Sequence, residues 1–401
     1  MDINDKLKGI DSLFKQWEKS YGKDKIPTNG NNLKKVEFLQ TGILGIDMML
    51  GGGWAKGRVV QCCGNKSSGK TTLALMTIAY NQKQDPNFMT YYYDAECAVD
   101  TKYMKCLGID LNRVIIDQSQ SAEEGLKKFI DACDSGFFDL AILDSTGVLG
   151  SEKNEKEVSI GMNANLETNK VLGNFYTNIK SLASKYNMVI LIIEWLRTKI
   201  GVMFGNPEVF SRGSYGEYTF SQAVVLRAQS KKIEGKDSLT GEDIALSNEI
   251  KLKTWKNKVY PPFRTCSVTV EYGKGFNPLT DLVNLAIQLN LCEKKGAHIY
   301  YPNKEQSTEE THFTSINDFL TKLKDNKELR DELDTKIRKR FEKFQEDYEN
   351  SIDATDIINS FMADEDKTEE RNIRREEMSA IMQYENETEG LIKDLLNTDK
   401  N

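Results

Sequence analysis

Apolar residues follow two rhythms along the middle of the chain. Residues 58–63, 89–94, 114–117, 137–144 and 187–193 are short, nearly unbroken apolar runs. A strand buried on both faces shows no polar side, so such runs predict a largely parallel sheet covered by helices on each face. Between them the apolar residues recur at helical spacing. Residues 72–80 read as one helix. Ser121-Ala122-Glu123-Glu124 is a capping box that opens another, whose inner face is Leu126, Phe129, Ile130 and Cys133. Residues 223–227, 250–255 and 266–270 alternate, which predicts strands extending the sheet antiparallel.

The two ends differ from this middle. Leu7, Ile10, Leu13, Phe14, Trp17 and Tyr21 form a helical stripe closed by Gly22. With no neighbouring element in sequence, that stripe needs another surface, on its own domain or on a neighbouring subunit. Beyond Pro278, residues 281–291 read as a helix, and Leu329, Leu333, Ile337, Phe341, Phe344 and Tyr348 as one face of a longer one. The expected division is an N-terminal helix and linker at 1–32, a core at 33–278, a small, mostly helical domain at 279–350, and an acidic, partly disordered tail at 351–401.

Composition narrows the class. With 401 residues, 39% hydrophobic and 29% charged, the chain is globular and large enough for more than one domain. No apolar run approaches the ~20 residues of a membrane span, and no signal-peptide core opens the chain, so a cytoplasmic protein with no membrane partner is expected. Seven cysteines without a C-x-x-C pair read as buried free thiols. Two histidines make a histidine metal site a poor fit. The net charge of -7 excludes a protein basic all over, but leaves room for locally basic loops that meet nucleic acid.

The chemistry is densest at Gly64-Asn65-Lys66-Ser67-Ser68-Gly69-Lys70-Thr71, followed by Thr72. The spacing G-x-x-x-x-G-K-[ST] between a strand and a helix is the phosphate-binding loop of nucleotide triphosphatases. Its N–H groups and the helix N-terminus face an anion, Lys70 reaches the β- and γ-phosphates, and the Thr71 hydroxyl takes one site on Mg²⁺. Asp144 ends an apolar strand and is read as the second acid, holding Mg²⁺ through a water opposite Thr71. Glu96, just past another strand at the same sheet edge, is the candidate for orienting the attacking water. Residues 198–215 lack periodicity and mix Arg197, Lys199 and Arg212 with Met203, Phe204 and Phe210. Cations interleaved with wedge-like side chains suit single-stranded nucleic acid. A second loop, 151–165, offers Lys153, Lys156 and Met162.

These stretches together resemble the RecA family of recombinases, including the UvsX-type members of tailed phages. The resemblance rests on 64–72, on Asp94-Ala95-Glu96-Cys97-Ala98-Val99-Asp100, on Leu143-Asp144-Ser145, and above all on Lys199-Ile200-Gly201-Val202-Met203-Phe204-Gly205-Asn206-Pro207-Glu208. Lys256-Asn257-Lys258 and Tyr272-Gly273-Lys274-Gly275 also fit, so that about 5–350 is covered. The resemblance implies a RecA-type phosphate-loop core of mainly parallel sheet, with an N-terminal helical appendage and a small α+β or helical C-terminal domain. It implies ATP and Mg²⁺ as cofactors, Glu96 as the catalytic carboxylate, and Asp100 and Tyr103 at the adenine. Lys256 and Lys258 would reach the γ-phosphate held by the next subunit. Ser145, Tyr272 and Gly273 join the nucleotide set, and Ile200, Gly205, Asn206, Gly213 and Ser214 the DNA set.

The function so implied is a DNA-dependent ATPase that forms an open helical filament on single-stranded DNA. The filament would pair that strand with homologous double-stranded DNA, in a bacterial cell or a phage-infected host, with single-strand-binding and loader proteins as further partners. A mediator with weak hydrolysis and a ring-forming helicase-type motor are the alternatives. Glu194-Trp195 departs from the family, whose bacterial members carry Asn-Gln there, the amide reading the γ-phosphate. Either Glu194 substitutes as the sensor or Trp195 works by packing. Arg212 stands at a usual glycine, and Glu217 near a usual lysine.

Overall fold

The computed structural model describes residues 1–23, 26–28, 30, 35–149, 162–198, 208–210, 218–236, 240–302 and 311–351. By its internal contacts the chain divides into Met1–Lys327 and Glu328–Asn401. The first unit opens with α1 (Ile3–Tyr21), capped by the Asp2 side chain on the Asp5 N–H and ended at Gly22. None of its residues is buried. Then come β1 (Phe38–Leu39), α2 (Leu44–Leu50), β2 (Trp54–Ala55), β3 (Arg58–Gly64), α3 (Lys70–Gln84), β4 (Thr90–Asp94), α4 (Thr101–Cys106), β5 (Val114–Asp117), α5 (Ala122–Ser135) and β6 (Leu140–Asp144). Next are α6 (Met162–Tyr186), β7 (Val189–Thr198), β8 (Glu208–Phe210), β9 (Gln222–Lys236), β10 (Asp243–Asn257), β11 (Thr265–Glu271), β12 (Gly275–Phe276) and α7 (Pro278–Gln288). The unit closes with β13 (Glu293–Lys295), β14 (His298–Tyr301), β15 (Thr311–Phe313) and α8 (Ile316–Asp325).

Among the described residues the central sheet runs β12-β11-β10-β9-β3-β7-β6-β4-β5, with β8 added on β7. From β9 to β5 every pairing is parallel. The alternation of 223–227 had suggested an antiparallel strand, but β9 lies parallel to β3, Cys62 opposite Val224. The antiparallel extension begins one strand later, with β10 and β11. The apolar runs sort their side chains by parity, as a pleat requires. Val60, Cys62, Tyr92, Ile142, Leu191 and Ile193 face a core with Leu73, Leu75 and Ile78 of α3. Val59, Tyr91, Tyr93, Ala141, Leu143, Ile190 and Ile192 face the other, with Phe129 of α5 and Phe175 and Ile179 of α6. Two such layers fix the height of every strand end, and the chemistry sits at those ends.

Details of the sequence reading shift. The Ser121 side chain caps α5 on the Glu124 N–H as its box predicts. The helix expected at 281–291 starts at Pro278, because Asn277 caps Leu279 and Thr280 and proline suits a first turn. A three-stranded sheet, β13-β14-β15, lies within the segment read as mostly helical. All seven cysteines are free thiols; Cys62, Cys63, Cys133 and Cys292 are buried, whereas Cys97 and Cys106 are exposed and Cys266 is half-buried, so burial does not extend to these three. The second unit is described through α9 (Lys327–Ser351), which carries the ion pairs Lys336–Glu332 and Arg338–Asp334 one turn apart. The tail at 352–401 lies outside the described residues.

Candidate active site

β3 delivers the chain to Gly64, where a side chain has no room: an added Cβ would stand 2.5 Å from both the Leu226 carbonyl and the Ser68 hydroxyl. The loop turns through Ser67 (φ 59°) and Gly69 (φ 88°), and α3 starts at Lys70. Lys70 is nearly buried and donates from Nζ to the Asn65 carbonyl at 2.8 Å, so its ammonium is folded over the loop. The Ser68 hydroxyl is buried in the loop without a hydrogen-bond partner. Nest, lysine and orphaned hydroxyl fit the triphosphate that the loop's spacing implies.

Parallel pairing brings two acids to the same level, Asp94 of β4 opposite Asp144 of β6. Asp144 Oδ2 accepts from the Thr71 hydroxyl at 2.7 Å and from the buried Tyr92 hydroxyl at 2.8 Å. Burial pushes the Asp144 carboxyl up to about 6; the two hydroxyls oppose this, and the Glu96 and Asp94 charges add to it. A buried carboxylate beside two others and a hydroxyl of the phosphate loop is a donor set that suits Mg²⁺. Asp94 itself is occupied, accepting from the Ala98 and Val99 N–H groups and from the Gln118 amide. Glu96 is half-buried and tied to the same edge. Its Oε1 accepts from the Ser145 hydroxyl at 2.5 Å, and the preceding Ala95 N–H donates to the Asp144 carbonyl.

The other nucleotide candidates are distributed around this edge. The Tyr103 hydroxyl stands 3.4 Å from that of Thr72, setting the ring beside the start of α3. Asp100 caps α4 on the Lys102 N–H. Tyr272 and Gly273 form the exposed turn between β11 and β12, while Phe276 beyond them lies 3.0 Å from where a Gly69 Cβ would be. Lys256 and Lys258 are not brought to the chain's own phosphate loop. Lys256 pairs with Ala223, which pairs with Gln61, three residues or roughly 10 Å back along β3 from Gly64. Lys258 lines a cleft of about 480 Å³ with Arg58 and Lys180.

Of the DNA candidates, Lys153, Lys156, Lys199, Ile200, Met203, Phe204, Gly205, Asn206, Arg212, Gly213 and Ser214 lie outside the described residues. Met162 opens α6 and Arg197 lies in β7, opposite Val209 of β8. The end of the first loop is thus helix, and residues 208–210 of the second are strand. β6 and β7, which precede the two stretches, leave the sheet at the edge that carries Gly64 and Asp144.

The sequence reading named Glu194 but missed Tyr92 and the residues that meet Glu194 in a buried cluster, Gln61, Thr146 and Tyr176. A signal existed: a tyrosine inside a fully buried strand must find a partner for its hydroxyl, and the nearest polar strand end is Asp144.

Comparison with known proteins agrees with this geometry. Residues 8–277 match the RecA N-terminal domain. The chain is 32% identical over 341 residues to Protein RecA of Phytoplasma mali, covering 84% of this chain and 95% of that one. It is also 32% identical over 355 residues to Protein RecA of Staphylococcus aureus, covering 88% of this chain and 97% of that one. With the phosphate loop, the paired acids and a match over most of both lengths, the chain belongs to the RecA family of recombinases.

Proposed function

We propose that this recombinase binds ATP and Mg²⁺ at the sheet edge formed by β3, β4 and β6, and assembles on single-stranded DNA as an open helical filament with ATP between adjoining copies. ATP with Mg²⁺ supplies the phosphoryl group whose transfer to water changes the filament's grip on DNA. Lys70 and the loop N–H groups bind the phosphates, and Thr71 and Asp144 hold the cation. Glu96, oriented by the Ser145 hydroxyl, takes the proton of the attacking water. Lys256 and Lys258 act on the neighbouring copy's γ-phosphate, as trans-acting cations do in other phosphoryl transfers. Their height on the sheet, away from their own loop, supports that reading. The exposed apolar stripe of α1 supports a role in joining copies, since Ile3, Leu7 and Ile10 find no cover within the described residues.

The observation that carries this function is the convergence of Thr71, Asp144, Tyr92, Ser145 and Glu96 in one hydrogen-bonded edge beside the phosphate loop. Strand exchange between homologous DNAs tests it. Exchange and oligo-dT-stimulated hydrolysis should both require ATP, and electron microscopy with an ATP analogue should show open filaments. Closed rings, or a monomer indifferent to DNA, would overturn the proposal.

A further inference from the structure

The end of β3 opposite the phosphate loop borders the cleft of about 480 Å³ that Lys258 lines, a size usual for a small-molecule site. Arg58 opens β3 there, six residues or roughly 20 Å back along the strand from Gly64. The chain's own phosphate loop therefore cannot serve this cleft. α6 closes one side with Lys180 and Ser184, and the chain entering β9 closes another with Thr219 and Ser221.

Arg58, Lys180 and Lys258 bring three positive charges to the cleft, and among the described residues no acid lines it. Nor does any of the three form an ion pair among the described residues; Arg58 Nη1 reaches only the adjacent Gly57 carbonyl, at 3.4 Å. Elsewhere the lysines find acids: Lys185 of the same helix pairs with Asp134 at 2.8 Å, and Lys127 with Asp131 at 3.0 Å. In a chain of net charge -7, three cations gathered without a counter-charge repel one another for no gain in folding. The hydroxyls agree. Those of Ser184, Thr219 and Ser221 make no hydrogen bond among the described residues, although Ser221 is only 7% exposed. A polar group buried to that extent ordinarily has a partner.

We propose that this cleft is a second phosphate-binding site, which takes a pyrophosphate group or longer phosphate chain with Lys180 and Arg58 as its cations beside Lys258 and Ser221 as its buried donor. Ammonium groups and hydroxyls are point donors, suited to phosphoryl oxygens that accept from several directions. No aromatic ring lines the cleft among the described residues, so the phosphates are recognised and a nucleobase is not. The cleft is too large for one phosphate alone, which favours a chain of them. Two sources share this chemistry: a free polyphosphate, and the triphosphate tail of a neighbouring copy, which Lys258 meets in the function proposed above. The site is read from its own side chains and needs no filament to form.

The test uses the full chain as wild type, Lys180→Ala and Ser221→Ala, with the phosphate loop saturated by ADP and Mg²⁺ matched in both solutions. Calorimetric titration with pyrophosphate should then show one further equivalent bound. Lys180→Ala should weaken that binding about tenfold, as loss of one hydrogen bond to a charged group does. Ser221→Ala should weaken it about fivefold, the value of one net hydrogen bond. Affinity for ADP should stay within about twofold in both, as expected of positions remote from the loop. Lys180 is exposed, so its variant keeps the test open if Ser221→Ala does not fold. Replacing ADP with an ATP analogue separates the sources. Pyrophosphate still bound identifies a free polyphosphate as the ligand. Pyrophosphate excluded, with Lys180→Ala weakening the analogue and sparing ADP, identifies the neighbour's triphosphate. No binding in the ADP state, or binding that both variants leave unchanged, would overturn the inference. A chain that binds pyrophosphate in this way yet forms no filament would overturn the functional reading alone.

Discussion

Asp144 and Asp281 make a controlled pair within one molecule. Both are buried in the first unit, and burial pushes the carboxyl of each up to about 6. Their company differs. Asp281 of α7 accepts the backbone N–H of Gly45 in α2 at 2.8 Å, a donor that cannot turn away. Asp144 accepts two hydroxyls and stands among two further carboxylates. A hydroxyl can rotate and offer its own lone pair to a cation, whereas an N–H cannot. Burial of charge therefore marks neither aspartate as functional. Reorientable donors and like-charged neighbours single out Asp144.

The largest effect should come from substituting each in turn. Asp144→Asn should lower ATP turnover by on the order of 10²–10³, the usual loss when one group stabilising the transition state is removed. Asp281→Asn should leave turnover within about twofold, as expected of a packing position remote from the chemistry. Equal losses would erase the contrast.

Next in size is the pH dependence of stability at Asp281. An acid raised from 3.8 to about 6 binds its proton more tightly when folded. Folding then takes up a proton between about pH 4 and 6, so this group's contribution falls as pH rises through that window, by at most about 3 kcal/mol. Urea unfolding of wild type against Asp281→Asn should show the difference vanishing at the acid end and favouring the variant above pH 6. A difference growing toward acid would reverse the sign and refute the assignment. Smaller again is Gly45→Ala, whose Cβ would stand 2.4 Å from Asp281 Oδ1. Overpacking there should cost about 1–3 kcal/mol with turnover per folded molecule unchanged.

The chain discloses its candidate nucleotide site better than its buried side-chain clusters, for a physical reason. A phosphate loop is local: Gly64, Gly69, Lys70 and Thr71 are contiguous, and their backbone demands are written in residue type. The parallel core is legible because strands buried on both faces leave unbroken apolar runs. The parallel placement of β9 is not, since alternation reports how a strand is buried and leaves the direction of its neighbour open. The Glu194 cluster gathers residues 61, 146, 176 and 194, which meet through sheet register and the crossing of α6. No local pattern encodes such a meeting. Tyr92 lies between these cases, its buried hydroxyl asking for a partner that parallel register alone identifies as Asp144.

Tyr92→Phe gives the smallest and most discriminating effect. Burial, and then the Asp144 charge, hold the Tyr92 hydroxyl well above its ordinary range, so it remains a donor at any working pH. It shares Asp144 Oδ2 with Thr71. If it fixes the carboxylate for a cation, its removal should raise the Mg²⁺ concentration at half-maximal hydrolysis by about tenfold, the value of one hydrogen bond to a charged group. Nucleotide binding without Mg²⁺ should hold steady, because the phosphate loop is untouched. If the hydroxyl instead competes with the cation for Oδ2, the half-maximal concentration should fall. A rise would make Tyr92 part of what distinguishes Asp144 from Asp281; a fall would leave that distinction to Thr71 and the neighbouring acids.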